Sequence, residues 1–533
     1  MIKNIFKFLA IVLIIACLVV GLLVGIMFVF PSVELFGFRY LANHKEYSLK
    51  MTESEFSTIT KINVETNNYD VVIVPNSNKD IASNNVLRIV ISNNYTGFAN
   101  KNNKGVMLLN TKTNEMVNVT TFENNLIDSS LIKNGTEFTI KLGEPSGVVS
   151  YNNSKVLIAM PENASGVEYN IVTNKGKINF AQSSENKSRN LLTSNITIKV
   201  NSAFGSFNID NAKMSNDSTL NIENYLGKVD INSDKIANVN INSNSGNFTF
   251  KNIGFDGYNA NLTVKGNNPY VTVNKIYGSV NFNTTTGYLK CTELLGDGII
   301  ETKNGIVRID KALNGISVKN ESGETTIKQL GEDGTSTKSA EFESVKGAIN
   351  LGTEGAGVYY LSRIKTTSGK VNIKNLYYNG AVIESTSGKV DVEFAKNGVQ
   401  KDLTVTSNQG AITLTNVYGN ITAKTTKSKI KASFVSMSSL STFETDNGEV
   451  ELVLPTPTDR ELEKYNLDLK NKNNTTNKSN KLTIKLASFT QTKFEGNKDA
   501  DGYYTFTRSF PESSTTTNTI SVKTNSGRIN IHE

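Results

Sequence analysis

The sequence predicts an all-β fold, a single-stranded parallel β-solenoid (β-helix) of short rungs, preceded by one transmembrane α-helix. Two observations carry this prediction. A short pattern of apolar, hydroxyl and glycine residues recurs through most of the 533 residues, and the chain begins with one long uncharged apolar run. Only two cysteines occur, so no intrachain disulfide framework can hold the body together. Its stability has to come from apolar burial and hydrogen bonds between strands.

The apolar run covers residues 8–30, 23 positions without a charged side chain. A helix needs about 20 such residues to span the hydrocarbon layer, whereas a cleaved signal peptide has an apolar core of about 7 to 15. The segment ending at Cys17 also resembles a lipoprotein cleavage box, which would make Cys17 a lipidated N-terminus, but more apolar residues follow it. We therefore expect a single-pass anchor in the cell membrane. Lys3 and Lys7 favour a cytoplasmic N-terminus and an extracellular body.

The repeated template is defined relative to a glycine at position 0. It has apolar residues at −7 and −5, Ser, Thr or Asn at −3, and apolar residues at +2 and +4. Between Gly205 and Gly448 the copies are mostly 18 to 24 residues apart. Copies centre on Gly176, Gly205, Gly227, Gly246, Gly287, Gly305, Gly323, Gly347, Gly369, Gly388, Gly410, Gly448 and Gly527, while Tyr69, Pro269 and Ser428 replace the glycine in three others.

Apolar residues two positions apart share one face of a strand, so each copy predicts a strand, a tight bend and a second strand around one interior. Glycine at the bend allows a positive φ or a close approach that a Cβ would obstruct. The hydroxyl at −3 can satisfy backbone groups of the bend or stack on its equivalent in the next rung. Stacked copies bury a continuous core that one copy could not. A β-propeller is the alternative, but its blades recur at about 40 residues or more.

The domain organisation follows from where the template is regular. A Lys/Asn-rich stretch near the C-terminus departs from the template and includes a predicted mobile loop, Lys470–Lys481. The predicted segments are a cytoplasmic tail (1–7), the transmembrane helix (8–30), a juxtamembrane linker (31–55), an irregular N-terminal part of the β body (56–160), the regular solenoid (161–455), the Lys/Asn-rich excursion (456–515) and a final rung (516–533).

Three runs carry a resemblance to a known family: Thr366–Ile373, Ser385–Val392 and the closing Ser526–Ile531. With the other copies of the template, they resemble a bacterial domain-of-unknown-function family that carries the label adhesin. The resemblance covers roughly residues 58–533. It implies a β-solenoid held behind one transmembrane segment. It supplies no catalytic or binding residues that could be assigned to this chain.

The residues that usually carry catalysis are scarce. The two histidines, His44 and His532, lie near opposite ends of the chain, and Cys291 takes a +4 position that other copies fill with an apolar residue. Among outward +3 positions, Asp230 and Asp391 are many rungs apart, so no acid/base pair is evident. The sequence therefore predicts no enzyme activity, no metal site and no cofactor.

The outward +1 positions are more basic, with Lys177, Lys228, Lys370, Lys389, Lys429 and Arg528. Lysines at such positions commonly keep a sheet face solvated. The sharper hypothesis is a basic stripe, with Lys370, Lys389 and Lys429 as candidate binding residues for an anionic cell-wall polymer. Nucleic acid is not an expected partner, because a net charge of +7 on 56 basic and 49 acidic residues is too even.

Three functions remain open from the sequence. The first is a non-catalytic cell-surface ectodomain with a structural or adhesive binding role, whose partners are the membrane and a cell-wall polymer or another surface protein. The second is a sensor or accessory ectodomain that works through a membrane partner, which Gly21 and Gly25 could contact as a Gly-x-x-x-Gly pair. The third is a carbohydrate-active enzyme of β-helix type. The ligand and the oligomeric state do not follow from the residues.

Overall fold

The computed structural model of the protein is a parallel β-solenoid of about 12 turns, with one N-terminal apolar helix. The predicted fold class is therefore confirmed. The chain divides into two units, Met1–Lys251 and Asn252–Glu533. The structure describes residues 2–29, 38–75, 86–100, 105–145, 147–161, 166–180, 191–200, 206–209, 212–224, 226–332, 338–396, 399–436, 440–455, 464–473, 481–486, 489–495, 497–510 and 516–533.

The N-terminal helix α1 extends over Ile2–Val29. Its segment Lys7–Val29 is 23 residues long and apolar enough to cross a membrane, and most of its side chains are exposed, while Met27 is buried. The helix agrees with the predicted anchor. Phe30, the last residue of the predicted span, lies outside the described residues.

The rest of the first unit consists mainly of strands. Its short helices are α2 Glu53–Phe56 and α3 Ser129–Ile132, with 3-10 turns at Val119–Thr121 and Glu123–Asn125. Its strands are β1 Phe38–Met51, β2 Lys61–Glu65, β3 Asp70–Pro75, β4 Leu87–Asn100, β5 Met107–Asn110, β6 Glu115–Asn118, β7 Lys133–Asn134, β8 Glu137–Gly143, β9 Gly147–Tyr151, β10 Lys155–Met160, β11 Val167–Thr173, β12 Lys177–Phe180, β13 Leu191–Val200, β14 Ser206–Ile209, β15 Ala212–Met214, β16 Thr219–Asn224, β17 Lys228–Ile231 and β18 Asn238–Ile253.

The first unit stacks one of its rungs out of chain order. Strand β2 lies between β8 and β11, and β3 lies between β10 and β12, in parallel register. The chain therefore leaves after β3, forms an outer rung from β8 and β10, and returns to the other side of the first rung with β11. Strand β4 pairs antiparallel with β1, β9 and β10. These antiparallel pairs cover strand edges that would otherwise attract other chains.

Most strands of the second unit follow the repeat, and one 3-10 turn is described at Thr353–Gly355. They are β19 Leu262–Ile276, β20 Val280–Thr284, β21 Tyr288–Leu294, β22 Gly298–Thr302, β23 Ile306–Ala312, β24 Ile316–Asn320, β25 Thr325–Leu330, β26 Ala340–Ser344, β27 Ile349–Leu351, β28 Arg363–Thr366, β29 Val371–Leu376, β30 Ala381–Ser385, β31 Val390–Phe394, β32 Leu403–Ser407, β33 Ile412–Val417, β34 Ile421–Thr425, β35 Ile430–Phe434, β36 Leu440–Thr445, β37 Val450–Val453, β38 Tyr465–Asn471, β39 Leu482–Leu486, β40 Phe489–Gln491, β41 Tyr504–Phe510, β42 Thr519–Thr524 and β43 Ile529–His532.

Two parallel sheets enclose the core of the second unit. The first-strand sheet contains the strands before each bend, from the start of β19 through β20, β22 and their successors, and the second-strand sheet contains the strands after it, such as β21 and β23. Inward residues form apolar columns at equivalent positions of successive rungs, such as Val264, Phe282, Ile300, Val318 and Phe342, all buried. Burial of these columns supplies the main stabilisation of the fold.

The bends agree with the predicted role of the −3 residue. The backbone N–H of Gly305 donates to Thr302 Oγ1 at 2.9 Å, and Asn320 Oδ1 accepts from the N–H of Gly323 at the same distance. In other rungs the hydroxyl donates instead, as from Ser344 Oγ to the Gly347 carbonyl at 2.7 Å. These side chains are buried. They satisfy backbone groups that the tight bend removes from the strand ladder.

The bend glycines are required by close packing between rungs. A Cβ on Gly323 would lie 1.7 Å from the Gly305 carbonyl oxygen, and one on Gly347 would lie 1.9 Å from the Gly323 oxygen. Of the two reasons expected for glycine, close approach therefore applies here. The predicted bend at Gly205 lies outside the described residues.

The C-terminal end of the second unit also stacks a rung out of chain order. Strand β42 lies between β36 and β38, and β43 lies between β37 and β39. The final rung of the chain therefore lies between two rungs that precede it in sequence. The antiparallel strands β41 and β40 then pair with β38 and β39.

Two predicted segments are more ordered than their composition suggested. The predicted linker 31–55 contains β1, whose Tyr47, Leu49 and Met51 are buried. The Lys/Asn-rich excursion 456–515 contains β38 to β41, because alternating apolar residues in β38 complete another rung. Of the predicted mobile loop, Lys470 and Asn471 belong to β38, while residues 474–480 lie outside the described residues.

Candidate functional site

The three candidate lysines of the predicted basic stripe lie on the outer face of the second-strand sheet, and all three are ion-paired. Lys370 and Lys389, from neighbouring rungs, both contact Asp391, with Nζ to carboxylate distances of 3.3 and 2.8 Å. Partial burial alone would raise the pKa of Asp391, but hydrogen bonds from Lys389, Thr413 and Lys370 together hold it below its ordinary value. One carboxylate thus serves two of the three candidate lysines.

The third candidate, Lys429, belongs to a tighter cluster around Glu451. Lys429 Nζ contacts the Glu451 carboxylate, Lys431 Nζ lies 2.9 Å from Glu451 Oε1, and Lys429 also lies 3.4 Å from Glu449. Hydrogen bonds from Lys429 and Lys431 lower the pKa of Glu451 to about 2. His532 Nε2 is 3.3 Å from the same carboxylate. In the first unit, the predicted Lys228 pairs with Asp230 at 3.6 Å.

The opposite sheet carries a second ladder of charges that the sequence analysis did not consider. It occupies the outward −4 position of the first-strand sheet, where residues of successive rungs are direct neighbours in the parallel register. In spatial order its members are Lys265, Asn283, Glu301, Lys319, Glu343, Lys365, Glu384, Thr406, Lys424, Glu444 and Lys523. Lysine and glutamate alternate through most of it.

The later part of this −4 ladder is paired. Lys424 Nζ lies 2.9 Å from Glu444 in the next rung. Glu384 accepts a hydrogen bond from Arg363 Nη2 at 2.6 Å, so it is occupied by a residue beside the ladder. These pairs are solvent-exposed, with side-chain accessibilities of 37 to 51%. Such pairs contribute little to stability, but each charged side chain in them is neutralised by its partner.

The earlier part of the ladder lines an open groove of about 1000 Å³. The bend position −2 forms its second wall, with Lys303, Glu321, Val345 and Thr367. Among the described residues, no opposite charge lies within 4.0 Å of the groove's lysines and glutamates, which are all exposed. These charged residues are Lys265, Lys303, Lys319, Lys365, Glu301, Glu321 and Glu343, four positive and three negative. The net charge of the lining is therefore +1.

The groove has a rigid floor. Thr284, Thr302, Asn320 and Ser344 lie between the two walls and are buried. The side chains of Thr302, Asn320 and Ser344 hold their bend glycines by the hydrogen bonds described above. Thr284 Oγ1 accepts from the Gly287 N–H at 3.2 Å and also donates to Thr302 Oγ1 at 3.4 Å. The walls are thus carried by a backbone fixed in every rung, which is the arrangement that keeps a binding site preorganised.

The sequence contained a signal for this groove. Counting to −4 from each bend glycine shows the alternation of Glu and Lys directly, but outward positions were considered only at +1 and +3. The groove itself was beyond sequence reasoning, because alternating charges in register ordinarily predict ion pairs between neighbouring rungs. Only the structure distinguishes the paired part of the −4 ladder from the part that lines the groove.

The other residues singled out from the sequence have structural environments. Cys291 is buried, and burial raises the pKa of its thiol to about 12, so it is a core residue. His44 Nδ1 lies 2.7 Å from Asn94 Oδ1 in the first unit. Within the described part of the chain, no group of three or more His, Cys, Asp or Glu residues could hold a metal ion. Gly21 and Gly25 lie on α1 with open space around them.

The chain matches no protein-family model, no curated protein and no solved structure.

Proposed function

We propose that this chain is a non-catalytic binding module of the cell surface, a β-solenoid ectodomain held at the membrane by α1. The single observation that supports binding is the open groove of the first-strand sheet. Among the described residues, its lysines and glutamates have no ion-pair partner within 4.0 Å, although Glu301 accepts a long hydrogen bond from Asn283 Nδ2 at 3.5 Å. Lys424 and Glu444, at equivalent positions a few rungs later, are paired. A fixed concave surface with unsatisfied polar groups is the usual form of a ligand site.

Two further points support an adhesive role. The bends resemble those of the bacterial family that carries the label adhesin, and a solenoid displays a long surface to a polymer or another cell. The helix α1 precedes the solenoid in the chain, so it can serve as the membrane anchor of the body. An extracellular body with a cytoplasmic N-terminus is part of this proposal.

The groove favours binding over hydrolysis. Glycoside hydrolysis needs two carboxyl groups flanking the scissile bond, and the general acid usually sits in an apolar, desolvated setting. The groove carboxylates Glu301, Glu321 and Glu343 are all exposed. None of the three has the desolvated setting of a general acid, and we therefore propose binding and not hydrolysis.

The test of binding is retention of isolated cell envelope by the full-length chain in detergent micelles. We expect wild type to retain envelope material and the double variant Lys319→Met/Glu343→Gln to retain much less. The matched control is Lys424→Met/Glu444→Gln, which removes the same residue types from the same ladder outside the groove. Equal retention by wild type and the groove variant would contradict the proposal.

Display at the surface is tested separately, on intact cells that express the full-length chain. A single cysteine introduced in place of exposed Ser368 should react with a membrane-impermeant maleimide without cell lysis. Labelling only after lysis would place the body on the cytoplasmic side and refute the surface role.

A further inference from the structure

The groove is elongated along the stack of rungs. Its −4 wall is contributed by six consecutive strands of the first-strand sheet, β19, β20, β22, β24, β26 and β28. With neighbouring strands about 4.8 Å apart, five intervals give a length of about 24 Å. A volume of about 1000 Å³ is at the upper end of the range for small-molecule pockets. The dimensions fit a segment of an extended chain better than a compact metabolite.

A ligand in this groove has to bind through side chains. Strand β20 pairs with β19 and β22, and β24 pairs with β22 and β26, so the strands in the groove are internal to the sheet. Their backbone groups are occupied on both sides. Addition of a peptide as an extra strand, which requires a free sheet edge, is therefore not available here.

The side chains of the groove alternate between donors and acceptors. Lysine ammonium groups only donate hydrogen bonds and glutamate carboxylates only accept them. Lys319, Glu343 and Lys365 occupy adjacent positions of one wall, and Lys303 and Glu321 occupy adjacent positions of the other. A repeating ligand must therefore donate and accept at closely spaced points. The hydroxyl group does both.

The same alternation disfavours the other polymers. A polyanion would gain contacts with the lysines but lie against three exposed glutamates, and a net charge of +1 offers little attraction. The residues that line the groove also include no aromatic side chain on which the bases of a nucleic acid could stack. Val345 is the one apolar side chain of the lining, whereas protein partners usually anchor through buried aromatic or aliphatic residues.

We infer that the groove binds a neutral, linear, hydroxyl-rich chain, an uncharged glycan, lying parallel to the stack of rungs. Its hydroxyls donate to the exposed glutamates and accept from the lysines, so that each rung contacts successive sugar residues. This inference rests on the proposed binding function and specifies its ligand. It departs from the basic-stripe hypothesis, which names an anionic polymer on the opposite sheet.

The test uses full-length protein in detergent micelles and calorimetric titration with neutral linear hexasaccharides: cellohexaose, maltohexaose, mannohexaose and N-acetylchitohexaose. Hexagalacturonate, with a carboxylate on every residue, is the matched anion. We expect at least one neutral sugar to bind more tightly than hexagalacturonate, with an affinity almost independent of salt, because no ion release accompanies it. Lys319→Met/Glu343→Gln should weaken that binding by about tenfold or more, and Lys424→Met/Glu444→Gln should leave it unchanged.

Two results would overturn the ligand assignment. One is tighter, salt-sensitive binding of hexagalacturonate than of every neutral sugar. The other is no binding of any neutral sugar up to about 10 mM, the weakest affinity of interest. If envelope retention still depends on Lys319 and Glu343 in either case, the binding function stands and only the ligand class is wrong. If envelope retention does not depend on them, the proposed function fails as well.

Discussion

The two outer faces of the second unit both carry lysines and acidic residues but arrange them differently. On the second-strand sheet, Lys370 and Lys389 converge on Asp391, and Lys429 and Lys431 on Glu451. On the first-strand sheet, the lysines and glutamates between residues 265 and 365 stay apart and line a groove. Charge content therefore does not identify a binding face. What matters is which charges the fold leaves without an internal partner.

The same comparison can be made within the first-strand sheet, along the −4 ladder. Lys424 and Glu444 form an ion pair across one rung interval, whereas Lys319 and Glu343, at the equivalent positions and in the same register, do not. The residue types, the strand type and the register are matched, and Glu444 is less exposed than Glu343. The difference therefore lies in the local geometry of the groove, and it can be tested by changing either pair alone.

The first prediction concerns the bend glycines, which belong to the backbone that both faces share. Substituting one of them should cause the largest loss of stability. In Gly347→Ala, the new Cβ would lie 1.9 Å from the Gly323 carbonyl oxygen, and neither backbone segment can move without disturbing the rung. We expect a loss of about 3 kcal/mol in the free energy of unfolding. Denaturant unfolding of the full-length chain, followed by circular dichroism, measures it.

The matched control is Gly315→Ala, at another corner of the same unit. There the nearest atom to a new Cβ is Asp297 Oδ1 at 3.1 Å, the end of a side chain that can rotate away. Its cost should stay below about 1 kcal/mol. Equal losses at Gly347 and Gly315 would show that close approach of rungs is not what fixes the bend glycines.

The bends also show how far sequence reasoning reaches. The strand pair, the buried residue at −3 and the glycine at 0 are each set by interactions within a rung or with the identical next rung, so periodicity alone predicts them. The open groove depends on where long side chains extend, which periodicity does not determine. Lys401 is a similar case, since it is 1% exposed and donates from Nζ to the Val399 carbonyl at 2.6 Å.

The stacking order at the ends was equally beyond the sequence. A template describes what a rung contains but not which rung it contacts, because every copy presents nearly the same edge to its neighbours. The closing rung β42–β43 is the last in the chain but not the last in the stack, because it lies between the β36–β37 rung and the β38–β39 rung. Its strands are therefore paired on both sides, and the antiparallel β40 and β41 cover the end instead.

The second prediction concerns the paired face and its response to acid. Because the pKa of Glu451 is lowered from 4.5 to about 2, its contribution to stability is full above about pH 4.5 and is lost as the pH falls towards 2. Since Lys429 and Lys431 are partly exposed and water screens them, we expect about 2 kcal/mol. Wild type should exceed Glu451→Gln by this amount at pH 6, and the gap should close near pH 2. A gap independent of pH would contradict the ionic contribution of Glu451.

The third prediction converts the paired face into an unpaired one. Asp391→Asn removes the carboxylate that Lys370 and Lys389 share, so the sheet gains two unneutralised charges. We expect a loss of about 1 kcal/mol in the free energy of unfolding and new, salt-sensitive binding of hexagalacturonate at this face. Affinity electrophoresis at low and high salt measures the binding. Failure to gain any would argue that pairing is not what keeps polyanions from the second-strand sheet.

The smallest predicted effect tests the comparison most directly. Double-mutant cycles on thermal unfolding, with Lys→Met and Glu→Gln changes, give the coupling energy of each pair. The Lys424–Glu444 pair should couple by about 0.5 kcal/mol, as exposed ion pairs do, and Lys319 with Glu343 by close to zero. Equal coupling would mean that the groove charges neutralise each other and are unavailable to a ligand. If the Lys424–Glu444 pair couples and Lys319 with Glu343 does not, the lysine and glutamate of the groove are available to a ligand.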